Sequence, residues 1–154
     1  MSETLAPRLE AYLAGLLGAG DLRVSNLSRI PGGASRETYR FRARYARDGK
    51  AVERAMILRR DPPASLIETE RETEFRAYRA FHALGLPVPE PIALESDGRH
   101  LERPFFVMEE VENCQVGSIL TPDPYGANRE KIGDQLFTIL GRIAGADVAA
   151  IGRA

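Results

Sequence analysis

Tryptophan is absent from the 154 residues, cysteine occurs once and histidine twice. The lone Cys114 excludes an intramolecular disulfide framework, and no His/Cys cluster with metal-ligand spacing can be assembled. An excess of one charge sign is also lacking: 21 basic residues meet 22 acidic ones, for a formal net charge of −1. That balance argues against an electrostatic binder of nucleic acid or of a membrane surface. Arg40, Arg42 and Arg44 form a basic row, but three arginines on a strand face read as solvated, not as an RNA stripe. No apolar run approaches the roughly 20 residues of a membrane span, and Met1-Ser2-Glu3 opens an acidic amphipathic helix in place of a signal peptide. A soluble cytoplasmic protein is expected, of a length that suits one domain with a sound core. Internal repeats and low-complexity segments are absent.

The most informative stretch is Ile30-Pro31-Gly32-Gly33-Ala34-Ser35-Arg36-Glu37-Thr38-Tyr39. An apolar strand runs into a glycine turn there and returns as a second strand. Paired glycines carry no Cβ and tolerate φ > 0, so successive N–H groups can point into one concavity, and Ser35 adds a hydroxyl donor. The same turn also suits an ordinary hairpin. From Glu37 to Ala46 the chain alternates, with Tyr39, Phe41, Ala43 and Tyr45 on one face and Thr38, Arg40, Arg42 and Arg44 on the other. Arg47-Asp48-Gly49-Lys50 reads as a turn, and Val52 to Arg59 as a third strand whose apolar centre Ala55-Met56-Ile57-Leu58 ends in Arg59-Arg60. After Asp61-Pro62-Pro63 a helix is predicted from about Ser65 to Leu84, with Glu68, Glu70, Glu72 and Glu74 in its N-terminal half, where the helix dipole favours acids. Ile67, Glu74, Tyr78 and Phe81 share one of its faces. A carboxylate on that stripe needs a cation, and Arg59 at the end of the third strand is the natural partner. The alternative is a Glu74 turned out to solvent.

At the ends, Leu5, Leu9, Tyr12, Leu13, Leu16 and Leu17 stripe a first helix that stops at Gly18 and Gly20. Ile132, Leu136, Ile139, Leu140 and Ile143 stripe a last one, from about Asn128 to Ile151. Pro122-Asp123-Pro124-Tyr125-Gly126 separates that helix from what precedes it as a loop.

In combination these parts resemble the amino-terminal lobe of the aminoglycoside phosphotransferase-like kinases. They are closest to the phosphotransferase enzyme family branch that includes kinase-like domains fused to acyl-CoA dehydrogenases. Gly32 through Tyr39 looks like the family's nucleotide-positioning loop, and Ile57-Leu58-Arg59-Arg60-Asp61-Pro62 like its third strand, with Arg59 where an ordinary kinase has lysine. Glu74-Phe75-Arg76 through Leu86-Pro87-Val88-Pro89 looks like the αC helix and the turn after it. Pro104 to Glu112 looks like the fifth strand and hinge, and Leu136 to Gly152 like the first long helix of the carboxy-terminal lobe. Two positions depart from the pattern: Asn113 stands where a glycine usually follows the hinge, and Arg36 replaces the loop asparagine, which would put a cation beside the phosphates.

The resemblance implies an α+β fold: a protein-kinase-like N-terminal lobe, a five-stranded antiparallel sheet with one αC-type helix, and leading and trailing helices. The expected divisions are a leading helix over 1–20, a nucleotide-binding lobe over 21–112, a hinge over 113–126, and over 127–154 the first helix of a second lobe. It also implies ATP with Mg²⁺. Gly32, Gly33, Ala34, Ser35 and Arg36 would lie over the phosphates, and Arg59, held by Glu74, would address the α and β phosphates. Adenine would lie under Ile57, beside the hinge at Met108, and be read by the Glu109 carbonyl and the Val111 N–H. The partner would be a small-molecule hydroxyl acceptor. The family's His-Gly-Asp-x-x-x-x-Asn catalytic loop has no counterpart, because neither His82 nor His100 is followed by Gly-Asp. No catalytic residue or metal ligand is therefore expected within this chain, which reads as the nucleotide lobe of a longer phosphotransferase, or alternatively as a non-catalytic interaction module. A homodimer through the trailing helix is a further expectation.

Overall fold

The computed structural model describes residues 4–31, 36–62, 71–114, 120 and 122–147. The elements run α1 (Leu5–Leu17), β1 (Arg23–Ile30), β2 (Glu37–Arg47), β3 (Lys50–Arg60), α2 (Arg71–Ala83), β4 (Pro91–Glu95), β5 (Phe105–Glu109), a 3₁₀ turn (Gly126–Asn128) and α3 (Arg129–Ala144). The turn between β2 and β3 has Asp48 at φ 54° and Gly49 at φ 71°. Two left-handed residues match the right-handed twist of the flanking strands, which is why Asp-Gly favours a tight hairpin. The hairpin fixes the register from Arg47 opposite Lys50 to Glu37 opposite Arg60. β1 pairs with the far side of β2, with a bulge between Ser25 and Ser28 where Asn26 takes φ 56°. β5 inserts beside β3 and leaves β4 at the edge, giving a five-stranded antiparallel sheet in the order β1-β2-β3-β5-β4.

One face of the sheet carries Phe41, Ala43, Tyr45, Met56, Leu58, Phe105 and Val107, and α1 covers it with Leu5, Leu9 and Leu13. Each fully buried leucine contributes about 1.5 to 3 kcal/mol of transfer free energy. The stripe on α1 is narrower than expected, since Leu16 is 49% exposed. Arg8 ties the helix down by donating to the His100 carbonyl at 2.8 Å and to Glu102 at 2.6 Å, and the Tyr12 ring packs between His100 and Phe105. The loop it grips needs Gly98, where a Cβ would sit 2.6 Å from the Glu102 carbonyl oxygen.

The opposite face receives α2, whose Phe75 meets Phe106 edge-on at 6.0 Å between ring centroids. Ile67 lies outside the described residues. On the helix that is described, Phe75 and Ala80 are buried, whereas Glu74, Tyr78 and Phe81 are half-buried. The apolar stripe is thus centred on Phe75, and Glu74 borders it. That one-residue offset lets the carboxylate reach the end of β3 without lying in the apolar contact.

α3 buries none of its residues, and Ile132, Leu136, Phe137 and Leu140 are exposed. Arg142 reaches from it to the carbonyls of Leu84 and Gly85, each at 3.0 Å, which cap the end of α2. Among the described residues no helix is long and apolar enough to cross a membrane. An apolar stripe of this size tends to find a second surface. The 154-residue chain is therefore expected to self-associate through Leu136, Ile139, Leu140 and Ile143. Light scattering over a dilution series checks this, with Ile139→Glu expected to restore the monomer; a monomer at every concentration would contradict it.

Candidate functional site

Alternation along β3 sends its last two arginines to opposite faces. Arg59 points to the α2 side, where it pairs with Glu74 and lies 5.4 Å from the centroid of the Phe106 ring. The ion pair expected between the third strand and the helix is therefore formed. Arg36 joins it: its side chain is 2% exposed, with Asp61 Oδ1 at 2.5 Å, Glu74 Oε2 at 3.2 Å and the Phe106 centroid at 6.0 Å. Arg71, the first described residue of α2, holds the second oxygen of Asp61, and Arg103 donates to the Asp61 carbonyl at 2.9 Å. Two guanidiniums over one aromatic ring gain cation–π attraction that partly offsets their desolvation.

Arg60 points the other way and is 8% exposed. It binds Glu37 at 2.7 Å, and Arg103 approaches the same carboxylate at 3.2 Å. Burial works to raise the Glu37 carboxyl, yet the Arg60 hydrogen bond and the charges of Arg60, Arg103 and Arg29 bring it below its ordinary value. Five guanidiniums (Arg36, Arg59, Arg60, Arg71 and Arg103) thus meet three carboxylates (Glu37, Asp61 and Glu74) at one end of the sheet. Counted over the described residues, positive charge is in surplus there. The Nε atoms of Arg59 and Arg71 are buried without a hydrogen-bond partner, an arrangement suited to an anion.

Further along the same face Ile57 sits opposite Met108 on β5 and opposite Arg40 on β2. The chain leaving β5 stays on the sheet: the Glu110 N–H donates to the Ala55 carbonyl at 3.0 Å, Glu110 approaches Arg40 at 3.5 Å and Glu112 approaches Arg42 at 2.6 Å. Val111 lies between these two straps, 54% exposed, and its N–H makes no hydrogen bond among the described residues. Asn113 then takes φ 57°. A left-handed residue is required at that point, which explains glycine as the usual occupant and asparagine as a tolerated one.

The structure therefore brings Arg36, Arg59 and Glu74 together around Phe106, and sets Ile57, Met108, Glu109 and Val111 along the strand and hinge beside them. Gly32, Gly33, Ala34 and Ser35 lie outside the described residues. Arg36, expected as a cation beside phosphates, has carboxylate contacts to Asp61 and Glu74 among the described residues. Sequence reasoning missed Glu37, Arg60, Asp61, Arg71 and Arg103. Among the described residues no group of three or more His, Cys, Asp or Glu could hold a metal ion.

A profile described as "Phosphotransferase enzyme family" matches residues 26–154. Acyl-CoA dehydrogenase family member 10 of Mus musculus is 30% identical over 144 residues, covering 92% of this chain and 13% of that protein. Acyl-CoA dehydrogenase family member 11 of Homo sapiens is 29% identical over 133 residues, or 85% of this chain and 16% of that one. The chain therefore spans only a small part of the curated relatives it matches. Among solved structures, a putative aminoglycoside phosphotransferase from Ralstonia eutropha aligns with a TM-score of 0.68 at 22% identity, over 95% of this chain and 40% of that one.

Two outcomes follow from the charge network. Glu74→Ala strands Arg59 and should cost about 2 to 3 kcal/mol, part of which Glu74→Ala with Arg59→Met recovers; chemical denaturation measures both, and an unchanged midpoint would place Glu74 in solvent. The Glu37 carboxyl is depressed, so its pairing contributes fully above the unfolded value and fades as pH falls below about 4. Glu37→Gln should accordingly flatten the acid limb of the Tm-against-pH curve, and an unaltered limb would show that the pair carries no linkage.

Proposed function

The chain belongs to the phosphotransferase enzyme family, and from that premise we propose that it forms the nucleotide-holding half of a kinase-like site that takes ATP. The observation that supports this reading is the excess of guanidinium over carboxylate, among the described residues, at the end of β3 and the entry to β2, with the Val111 N–H, unpaired among those residues, farther along the same strands near Ala55. A polyphosphate would supply an anion to this cluster of guanidiniums. A planar base would lie under Ile57 and Met108, with the Val111 N–H donating to a ring nitrogen and the Glu109 carbonyl accepting from an exocyclic amine.

ATP, when bound, supplies the phosphoryl group that is transferred. This chain's residues bind and orient. Arg59 addresses the α and β phosphates while Glu74 fixes it to α2, and Phe106 gives the guanidinium a flat support. The glycines at 32 and 33, with Ser35, are assigned to covering the phosphates, on the resemblance of their sequence. The acceptor is a small-molecule hydroxyl group. Its recognition, the residue that orients it and the ligands for Mg²⁺ are assigned to sequence beyond these residues, because phosphoryl transfer depends on such positioning groups and the described residues offer none. Cytoplasmic residence belongs to the same reading.

Half a site binds weakly. Calorimetry on the 154-residue chain should give an ATP Kd of about 1 mM or weaker, with Arg59→Met abolishing the signal. Tight, Mg²⁺-dependent binding would contradict the assignment of the metal ligands elsewhere, and equal binding by Arg59→Met would remove Arg59 from the phosphate role.

A further inference from the structure

Glu74 is a shared carboxylate. One oxygen meets Arg59 and the other meets Arg36, and Asp61 is divided in the same way between Arg36 and Arg71. Arg36 is therefore the middle cation of a chain that runs Arg59, Glu74, Arg36, Asp61, Arg71. The cations differ in setting: the Arg36 side chain is 2% exposed and spans two carboxylates, whereas Arg59 is 23% exposed and holds one. A buried guanidinium bound to two anions is costly to move. One that is partly exposed and bound to a single anion can leave, provided its partner is not stranded.

We propose that Arg36 is a positioning residue that keeps the Glu74 carboxylate paired when Arg59 turns to an anionic ligand. The inference rests on the reading of Arg59 as the ligand-facing cation. With Arg59 as its only partner, a half-buried Glu74 would compete with any anion for that guanidinium, since departure would leave an unpaired charge. Arg36 removes the penalty from the opposite oxygen. Because both guanidiniums lie over Phe106, at 5.4 and 6.0 Å, Glu74 stays beside one aromatic-backed cation in either state.

The sharing can be read without any ligand. Arg36→Met leaves Glu74 with Arg59 and Asp61 with Arg71, and Arg59→Met leaves Glu74 with Arg36, so each single variant keeps both carboxylates paired and is expected to fold. Each should lower Tm by about 2 to 4 °C, and the double variant should lose at least about 4 °C more than the sum of the two. In a Glu74→Gln background the excess should vanish. Additive losses overturn the proposal. With inorganic tripolyphosphate as the probe, Arg36→Met should bind about tenfold more weakly than the wild type, and Arg36→Met with Glu74→Gln should return to within about twofold. A merely structural Arg36 would show no such recovery, so an unrecovered double variant also overturns the proposal. A wild-type chain that ignores tripolyphosphate overturns instead the polyphosphate reading of the site, and the denaturation cycle then decides the role of Arg36 alone.

Discussion

The pairing of Glu74 with two guanidiniums is the constraint around which this end of the molecule is arranged. α2 rests on the sheet through Phe75 and Tyr78 against Phe106, contacts that are apolar and therefore indifferent to small rotations of the helix. The carboxylate is not indifferent. It must meet Arg59 from β3 and Arg36 from the entry to β2 at once, and only one rotation of α2 allows both. Desolvated charges that satisfy one another specify geometry more sharply than they stabilise it. Phe106 answers to the same demand, as the apolar floor that shields one side of the pair and the π-face that replaces some of the lost hydration.

Much of this was legible in the sequence. Once Asp48-Gly49 is taken as a two-residue turn, counting outward along both strands places Arg60 opposite Glu37 and Arg59 opposite Thr38, as observed. The Glu37–Arg60 pair could have been found by that count, although the sequence reading stopped at the turn. The pairing of Glu74 with Arg59 followed from a charge on an apolar stripe. Arg36 did not, because its two carboxylates lie 25 and 38 residues away and only the assembled sheet joins them. β5 carries no alternation to read, since Phe105, Phe106 and Val107 are all fully buried, covered on both faces. The wider stripe expected on α1 failed at Leu16, which lies off the Leu5, Leu9 and Leu13 line, while Leu17 beyond it still packs against the core.

Charge pairs elsewhere have a different weight. Arg42 with Glu112 and Arg44 with Glu53 lie on the open face, hydrated, where pairing adds little to stability and is weakened by salt. The straps from Glu110 and Glu112 to β2 therefore guide the segment after β5 without locking it, whereas the network around Glu74 and Asp61 is more sheltered. The same residue types thus form a stiff knot under Phe106 and a soft guide along β2, and the difference is access to water.

Strand order also sets a sequence of events. A chain made from its N-terminus completes α1, β1, β2 and β3 as a run of neighbours, each able to pair as it emerges. β4 comes next but has no place to go, since its only ladder partner is β5. Until Glu109 has left the ribosome, β3 offers an unsatisfied edge, α2 has no Phe106 to rest on, and Glu74 has no floor beneath its arginines. Five residues arriving late thus supply the strand that joins β4 to the rest of the sheet, and the nascent lobe passes through a stage in which the edge of β3 is open to any passing chain.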